Sequence, residues 1–168
     1  FDTFDENGSS LGLVPRDEVH RRGLWHKASH VLVFRSNGAL LVQERAADKD
    51  LYASMLDYSV GEHLKPGESH MDGAVRGLFE ELGIQGARVE SLDYETRLEF
   101  VDESLGIRDF EMVSSFKTTW DGKIQPDPVE LAAVHEWLPD ELNARVRRHP
   151  ERFTPWFLSD LKSLGYVA

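Results

Sequence analysis

Apolar residues fall in short alternating or clustered runs along most of this chain, and helical spacing is confined to three stretches. Phe1–Asp5 and Leu11–Val14 flank Asn7-Gly8, while His30–Phe34 and Ala39–Glu44 flank Asn37-Gly38. Each pair reads as two strands joined by a tight turn, because Asn-Gly accepts the positive φ such turns need. Val89–Val101 and Ile107–Thr118 predict a longer antiparallel pair around Asp102–Gly106, and Val134–Leu138 predicts a last strand. Helices are expected over His70–Leu82, Pro139–Arg148 and Thr154–Leu164, the last burying Trp156, Phe157 and Leu161. Neither an internal repeat nor an interdomain linker is visible. The expectation is an α/β fold in one domain, residues 1–168, with helices on the faces of a mixed sheet.

Composition narrows the function classes. The sequence contains no cysteine, so neither a disulfide framework nor a thiol nucleophile is available. No apolar run approaches the roughly 18 residues of a membrane span, and Phe1–Asp5 does not look like a signal peptide. A cytoplasmic protein, monomeric or homodimeric, acting away from membranes is expected. The formal net charge of -11 argues against a nucleic acid polymer as partner. A small anionic substrate would need a metal ion and a local basic patch.

The candidate chemistry lies in residues 61–84, GEHLKPGESHMDGAVRGLFEELGI. Gly67 permits a tight turn, Ser69 is a good N-cap, and Gly83 suits the residue that stops the helix. Residues three and four apart share a helix face, so positions 77, 80 and 81 project to one side with Glu68 arriving beside them. Carboxylates converging in this way repel one another unless a hard cation neutralises them. Mg²⁺ (or Mn²⁺) is the expected cofactor, since it takes carboxylate oxygens while keeping water and substrate phosphates in its shell. Arg76 is spaced to pair with Asp72 and Glu80. Glycine at both 73 and 77 costs about 1 kcal/mol per residue relative to Ala. Either the bare stripe lets a neighbour approach, or position 77 is a decayed carboxylate site. On the second view Gly77→Glu raises or holds activity.

This stretch resembles the Nudix box: Gly, five residues, Glu, seven residues, Arg-Glu-aliphatic, one residue, Glu-Glu, one residue, Gly-aliphatic. Glu68, Arg76, Leu78, Glu80, Glu81, Gly83 and Ile84 match in register, while Glu62 stands for the opening Gly and Gly77 for the Glu after the Arg. The resemblance implies the Nudix α/β/α sandwich with a mixed sheet. It further implies divalent-dependent hydrolysis of a diphosphate linkage in a small nucleoside diphosphate-type substrate. Glu68, Glu80 and Glu81 would hold metal. Arg45, Lys49 and Arg76 are candidates for substrate binding, and Glu130 joins Glu80 and Glu81 as a catalytic candidate. Because position 77 lacks its Glu, the general base is open among Glu62, Glu111 and Glu130. Trp25, Tyr52, Phe100 and Trp120 are all possible stacking residues for the organic part of a substrate, and all possible core residues.

A wider match runs through Arg16–His20, Gly23, His26, Gln43–Arg45, Asp48-Lys49-Asp50, Leu56-Asp57 and Pro150–Trp156. It is similar to the Nudix subgroup related to isopentenyl diphosphate isomerase. In that enzyme histidines and two glutamates hold a metal, and His26, His63, Asp109 and Glu111 fall at comparable positions here, with His20 displaced in spacing. Asp109 and Glu111 share one strand face; on a bland reading they are a solvent-facing stripe. The isomerase also uses a Cys, whose position is Gly61 in this chain, so isomerisation is the less favoured reading. A Nudix-fold ligand-binding module without turnover is the alternative from a different class.

Overall fold

The computed structural model describes residues 1–49 and 51–168; Asp50, part of the wider match, lies outside the described residues. The predicted hairpins form. Strand β1 (Asp2–Phe4) pairs antiparallel with β2 (Ser10–Leu13), and a second hairpin joins β3 (Trp25–Phe34) to β4 (Leu40–Arg45). Gly38 sits at φ 88° in the second turn, where Arg35 N–H reaches the Ala39 carbonyl at 2.7 Å. Four elements were not anticipated: α1 (Arg16–Arg22), the short strands β5 (Leu56–Asp57) and β6 (Val60–His63), and a 3-10 turn at Pro150–Arg152. The remaining elements are α2 (His70–Leu82), β7 (Glu90–Asp102), β8 (Ile107–Thr119), β9 (Leu131–Trp137), α3 (Pro139–Arg148) and α4 (Pro155–Ser163).

Strand β3 organises the sheet, and it begins five residues earlier than the apolar run starting at His30 suggests. Its flank is taken by β8 in parallel, from Trp25 opposite Phe110 to Phe34 opposite Thr119, and β7 completes that side. Antiparallel β6 pairs with it from Ala28 opposite His63 to Val31 opposite Val60, and β9 pairs with β4. Being central, β3 is buried on both faces, which is why Trp25, His26, Ala28 and Ser29 lie inside despite their mixed polarity.

Alternate residues of β3 enter separate cores. Val31 and Val33 pack with Ala74, Leu78 and Leu82 of α2, while Leu32 packs with Leu142 and Val146 of α3 and Phe157 and Leu161 of α4. The result is a three-layer α/β/α sandwich. Leu82, Leu32 and Phe157 are fully enclosed, each contributing about 1.5–3 kcal/mol by burial. Helix α2 is bounded as expected: Ser69 Oγ accepts from Asp72 N–H, and Gly83 takes the left-handed conformation.

Candidate active site

One face of the sheet collects the polar residues. Register places His26 of β3 beside Glu111 of β8, and Ala28 beside His63 of β6. Side chains repeat every two residues along a strand, so His26, Ala28 and His30 present one row, flanked by Gly61 and His63 on one side and by Asp109 and Glu111 on the other. Leu98 and Phe100 of β7 extend that row, being opposite Glu111 and Asp109. All of these except His26, which lies fully buried beneath, line a cavity of about 730 Å³.

At one end of the floor, ligand atoms of His20, His26, His63 and Asp109 lie within 4.8 Å of one another. His26 Nδ1 faces the Leu24 carbonyl at 3.1 Å, so it must donate, which leaves the Nε2 lone pair aimed at Asp109 Oδ1, 3.4 Å away. His20 Nε2 is 3.6 Å from the same oxygen. Among the described residues all three atoms are buried without a hydrogen-bond partner, a state that costs free energy until something binds there. Burial, then the neighbouring imidazoles, lowers His20 and His26 to about 4, so both are neutral ligands near pH 7. Burial and adjacent Glu111 raise Asp109 to about 7. Burial would also raise Glu111, but the His63 imidazole bonded at 2.6 Å outweighs it and holds that carboxyl at about 2, while His63 is itself raised despite burial. Nitrogen and oxygen donors of this mixture suit Mn²⁺, Fe²⁺ or Zn²⁺, and the orphaned atoms fit such an ion.

At the other end the box helix delivers its carboxylates unequally. Glu81 is 6 % exposed and is pushed well above the usual carboxylate range by burial and then by Glu62 and Glu130. Glu80 is half exposed and pairs with Arg76 at 2.9 Å and Lys65 at 3.2 Å. Glu68 is not in the cavity lining: Arg76 takes both its oxygens at 2.8 Å. Arg76 likewise stays behind the cavity, gripped by Glu62, Glu68, Glu80 and the His63 carbonyl. Arg76, expected at the substrate, is thus outside the cavity lining with its guanidinium engaged by protein acceptors. The expected pairing with Asp72 also fails, because Asp72 turns to the Ser69 hydroxyl.

Arg45 and Lys49 do line the cavity. Arg45 is held by Asp57 at 3.0 Å and the Leu51 carbonyl, and Lys49 pairs with Glu130, also on the wall. Trp156, expected in the core, is only half buried; its Nε1 donates to Asp57 and its ring faces the cavity. Tyr52 stands edge-on to both Phe100 and Trp156. Trp25 and Trp120 are outside the lining, packed on Phe110 and in the α2 core. Asp109 and Glu111 are largely buried rather than a solvent-facing stripe. Sequence reading set His20 aside on spacing and overlooked Arg16, His30 and Lys65. The cue for the first two was α1 itself, with Pro15 before it, acids in its first turn, bases in its last and Gly23 after it.

Gly77 has a direct explanation. A Cβ there would meet Val60 Cγ1 at 2.7 Å and Glu62 Cβ at 3.0 Å. The bare stripe lets β6 lie against α2, so a side chain at 77 requires Val60 or Glu62 to shift, which weighs against the expectation that a Glu there raises or holds activity.

A sandwich of this form, with a box helix and a metal-ready cavity, defines the Nudix class, and the NUDIX domain family model matches residues 24–157. The chain belongs to the Nudix family, in the subgroup related to isopentenyl-diphosphate isomerase, with an atypical box. It is 33% identical over 166 residues to the isopentenyl-diphosphate Delta-isomerase of Serratia proteamaculans, covering 96% of this chain and 88% of that one. The isomerase of Dinoroseobacter shibae is 41% identical over 151 residues, covering 88% and 83%. Among solved structures, DR0079 from Deinococcus radiodurans superposes with a TM-score of 0.75 at 18% identity over 97% of both chains. A MutT protein from Methanosarcina mazei gives 0.67 at 15%, covering 84% of this chain and 93% of that one.

Proposed function

We propose that this protein is a divalent-dependent hydrolase that cleaves the diphosphate linkage of a small nucleoside diphosphate-type molecule. One observation carries the reading: among the described residues nine acidic side chains (Asp48, Asp57, Glu62, Glu80, Glu81, Asp109, Glu111, Asp127, Glu130) line the cavity against four Arg or Lys (Arg16, Arg45, Lys49, Lys65). Such a wall repels a polyphosphate unless cations stand between them. Divalent ions held by Glu81 with neighbouring carboxylates, and by the histidine cluster, would neutralise phosphate oxygens and lower the pKa of attacking water. Mg²⁺ suits the all-oxygen end, and Mn²⁺ the mixed one.

The chain's own groups then do the positioning that phosphoryl transfer chiefly requires. Lys49 and Arg45, fixed by Glu130 and Asp57, face the outer phosphates. Glu130 receives the proton of the attacking water, and Glu80 orients Lys65 at the rim. Leu98, Phe100 and Trp156 offer an apolar, partly aromatic wall to the organic group.

Isomerisation is the second reading, favoured by the named relatives and the histidine cluster. Against it, protonating and deprotonating carbon needs placed groups on both faces. Gly61, on the cavity floor, brings none where the isomerase resemblance implies a Cys.

A panel of nucleoside diphosphates, nucleotide sugars and isopentenyl diphosphate, incubated with Mg²⁺ or Mn²⁺ and followed by ³¹P NMR, tests both. The expected result is divalent-dependent release of a monophosphate from at least one nucleotide and no dimethylallyl diphosphate. An allylic product would establish the isomerase instead. Tight binding without any turnover would make the protein a ligand-binding module.

A further inference from the structure

Relative to the box pattern, this chain has two departures, Glu62 for Gly and Gly77 for Glu. They lie fifteen positions apart, yet the fold brings them into contact. The Cβ that Gly77 lacks would stand 3.0 Å from Glu62 Cβ and 3.4 Å from its Cγ. The stem of Glu62 thus occupies the notch that a side chain at 77 would fill. A carboxylate has been exchanged for a glycine across the contact between β6 and α2.

The geometry points to Glu62 as a cation-holding carboxylate of the cavity, reaching from the strand the place that the pattern serves from the helix. This rests on the hydrolase reading above. Three observations support it. Glu62 lines the cavity together with Glu81 and is mostly shielded from solvent. Its Oε2 is paired with Arg76 Nη1 at 3.0 Å, a contact that does not use Oε1. Arg76 does not need it: Glu68 already grips that guanidinium through two bonds of 2.8 Å, with the His63 carbonyl as a further acceptor. A Glu serving only as a structural partner for Arg76 would be redundant there, whereas a carboxylate beside buried Glu81 completes an oxygen-rich site of the kind Mg²⁺ takes.

The test is Glu62→Gln, which keeps the size of the side chain and its bond from Arg76 while removing the charge. Isothermal titration of the full chain with Mg²⁺ alone should show at least a tenfold loss of affinity. Affinity for Zn²⁺ at the histidine cluster should stay within twofold, and turnover of the best diphosphate should fall at least 100-fold with little change in KM. A second set asks whether the carboxylate can be returned to the helix. With Val60→Ala to clear the 2.7 Å contact, Glu62→Gly/Gly77→Glu should bind Mg²⁺ at least tenfold more tightly than Val60→Ala/Glu62→Gly. Mg²⁺ affinity within twofold of wild type in Glu62→Gln would overturn the proposal, as would a folded transplant no better than its glycine control. If the transplant does not fold, the Glu62→Gln titration alone decides. Should the wild type hydrolyse nothing, the hydrolase reading falls while the Mg²⁺ titration still judges Glu62.

Discussion

The two ends of the cavity are built by opposite means. At the helix end, Glu62, Glu68 and Glu80, from strand, loop and helix, gather around the single guanidinium of Arg76, which offsets part of their charge within the protein. At the sheet end, His20, His26 and Asp109 come from α1, β3 and β8 and leave three buried polar atoms without partners. The first arrangement is largely satisfied as it stands, with Glu62 and Glu81 held at a cost by burial. The second is held open by the sheet around it, because β3 and β8 fix the spacing of their side chains whether or not an ion is present. Pre-organisation of this sort concentrates unsatisfied polarity where a ligand can relieve it.

The largest effect that can break this contrast is at Glu81. Glu81→Gln should lower divalent-dependent turnover at least ~100-fold and abolish the rise in Tm that Mg²⁺ or Mn²⁺ gives the wild type through linkage. Without metal the same change should stabilise. The folded-state pKa of Glu81 is raised, so its ionisation opposes folding as pH rises from about 4.5 through that raised value, and Gln removes the penalty. Calorimetry at pH 7 with a chelator should show Tm higher by roughly 2–4 °C, about 1 kcal/mol for a chain of this size. A metal-free Tm below wild type would mean that Glu81 is a structural acceptor, and the contrast between the ends would fail.

Next in size is the His63–Glu111 pair. His63→Ala leaves a buried carboxylate uncompensated, which should cost about 2–3 kcal/mol, the low end for such a pair because a quarter of the His63 side chain is exposed. The His63 contribution is complete below about 6.5 and is lost as pH rises through its raised folded value; that of Glu111 is present above about 4.5 and is lost as pH falls toward about 2. Urea unfolding of the metal-free protein should therefore show a larger deficit for His63→Ala at pH 6 than at pH 9. An equal deficit at both would mean that packing, not charge, joins the two residues.

The smallest effect sharpens the comparison. A divalent ion at the sheet end must displace the proton from Asp109, whose carboxyl is raised to about 7, and from His63. Mn²⁺ affinity should then rise at least ~10-fold from pH 6 to pH 8, with proton release visible as a buffer-dependent heat. A flat profile would mean that no proton is displaced, and Mn²⁺ binding at Asp109 and His63 would fail.

The sequence by itself determined the local pieces of this protein. The bounds of α2 follow from Ser69 and Gly83, the hairpins from Asn7-Gly8 and Asn37-Gly38, and the paired long strands from alternation, since caps, turns and periodicity are interactions between near neighbours. It also marked His26, His63, Asp109 and Glu111 as companions, through resemblance to a family rather than through any local rule. Only the tertiary structure decided which side chains face the cavity. Glu68 and Arg76 match the box yet turn to each other, Trp156 packs against the core and also reaches the cavity wall, and His20 joins the cluster because α1 carries it there. Gly77 shows the reason most plainly. A missing carboxylate and a packing notch are the same letter in the sequence, and only Val60 at 2.7 Å and Glu62 at 3.0 Å, contributed by a different strand, tell them apart. Contacts between residues distant in sequence depend on register and on how strands and helices are layered, and neither is written in the spacing of one segment.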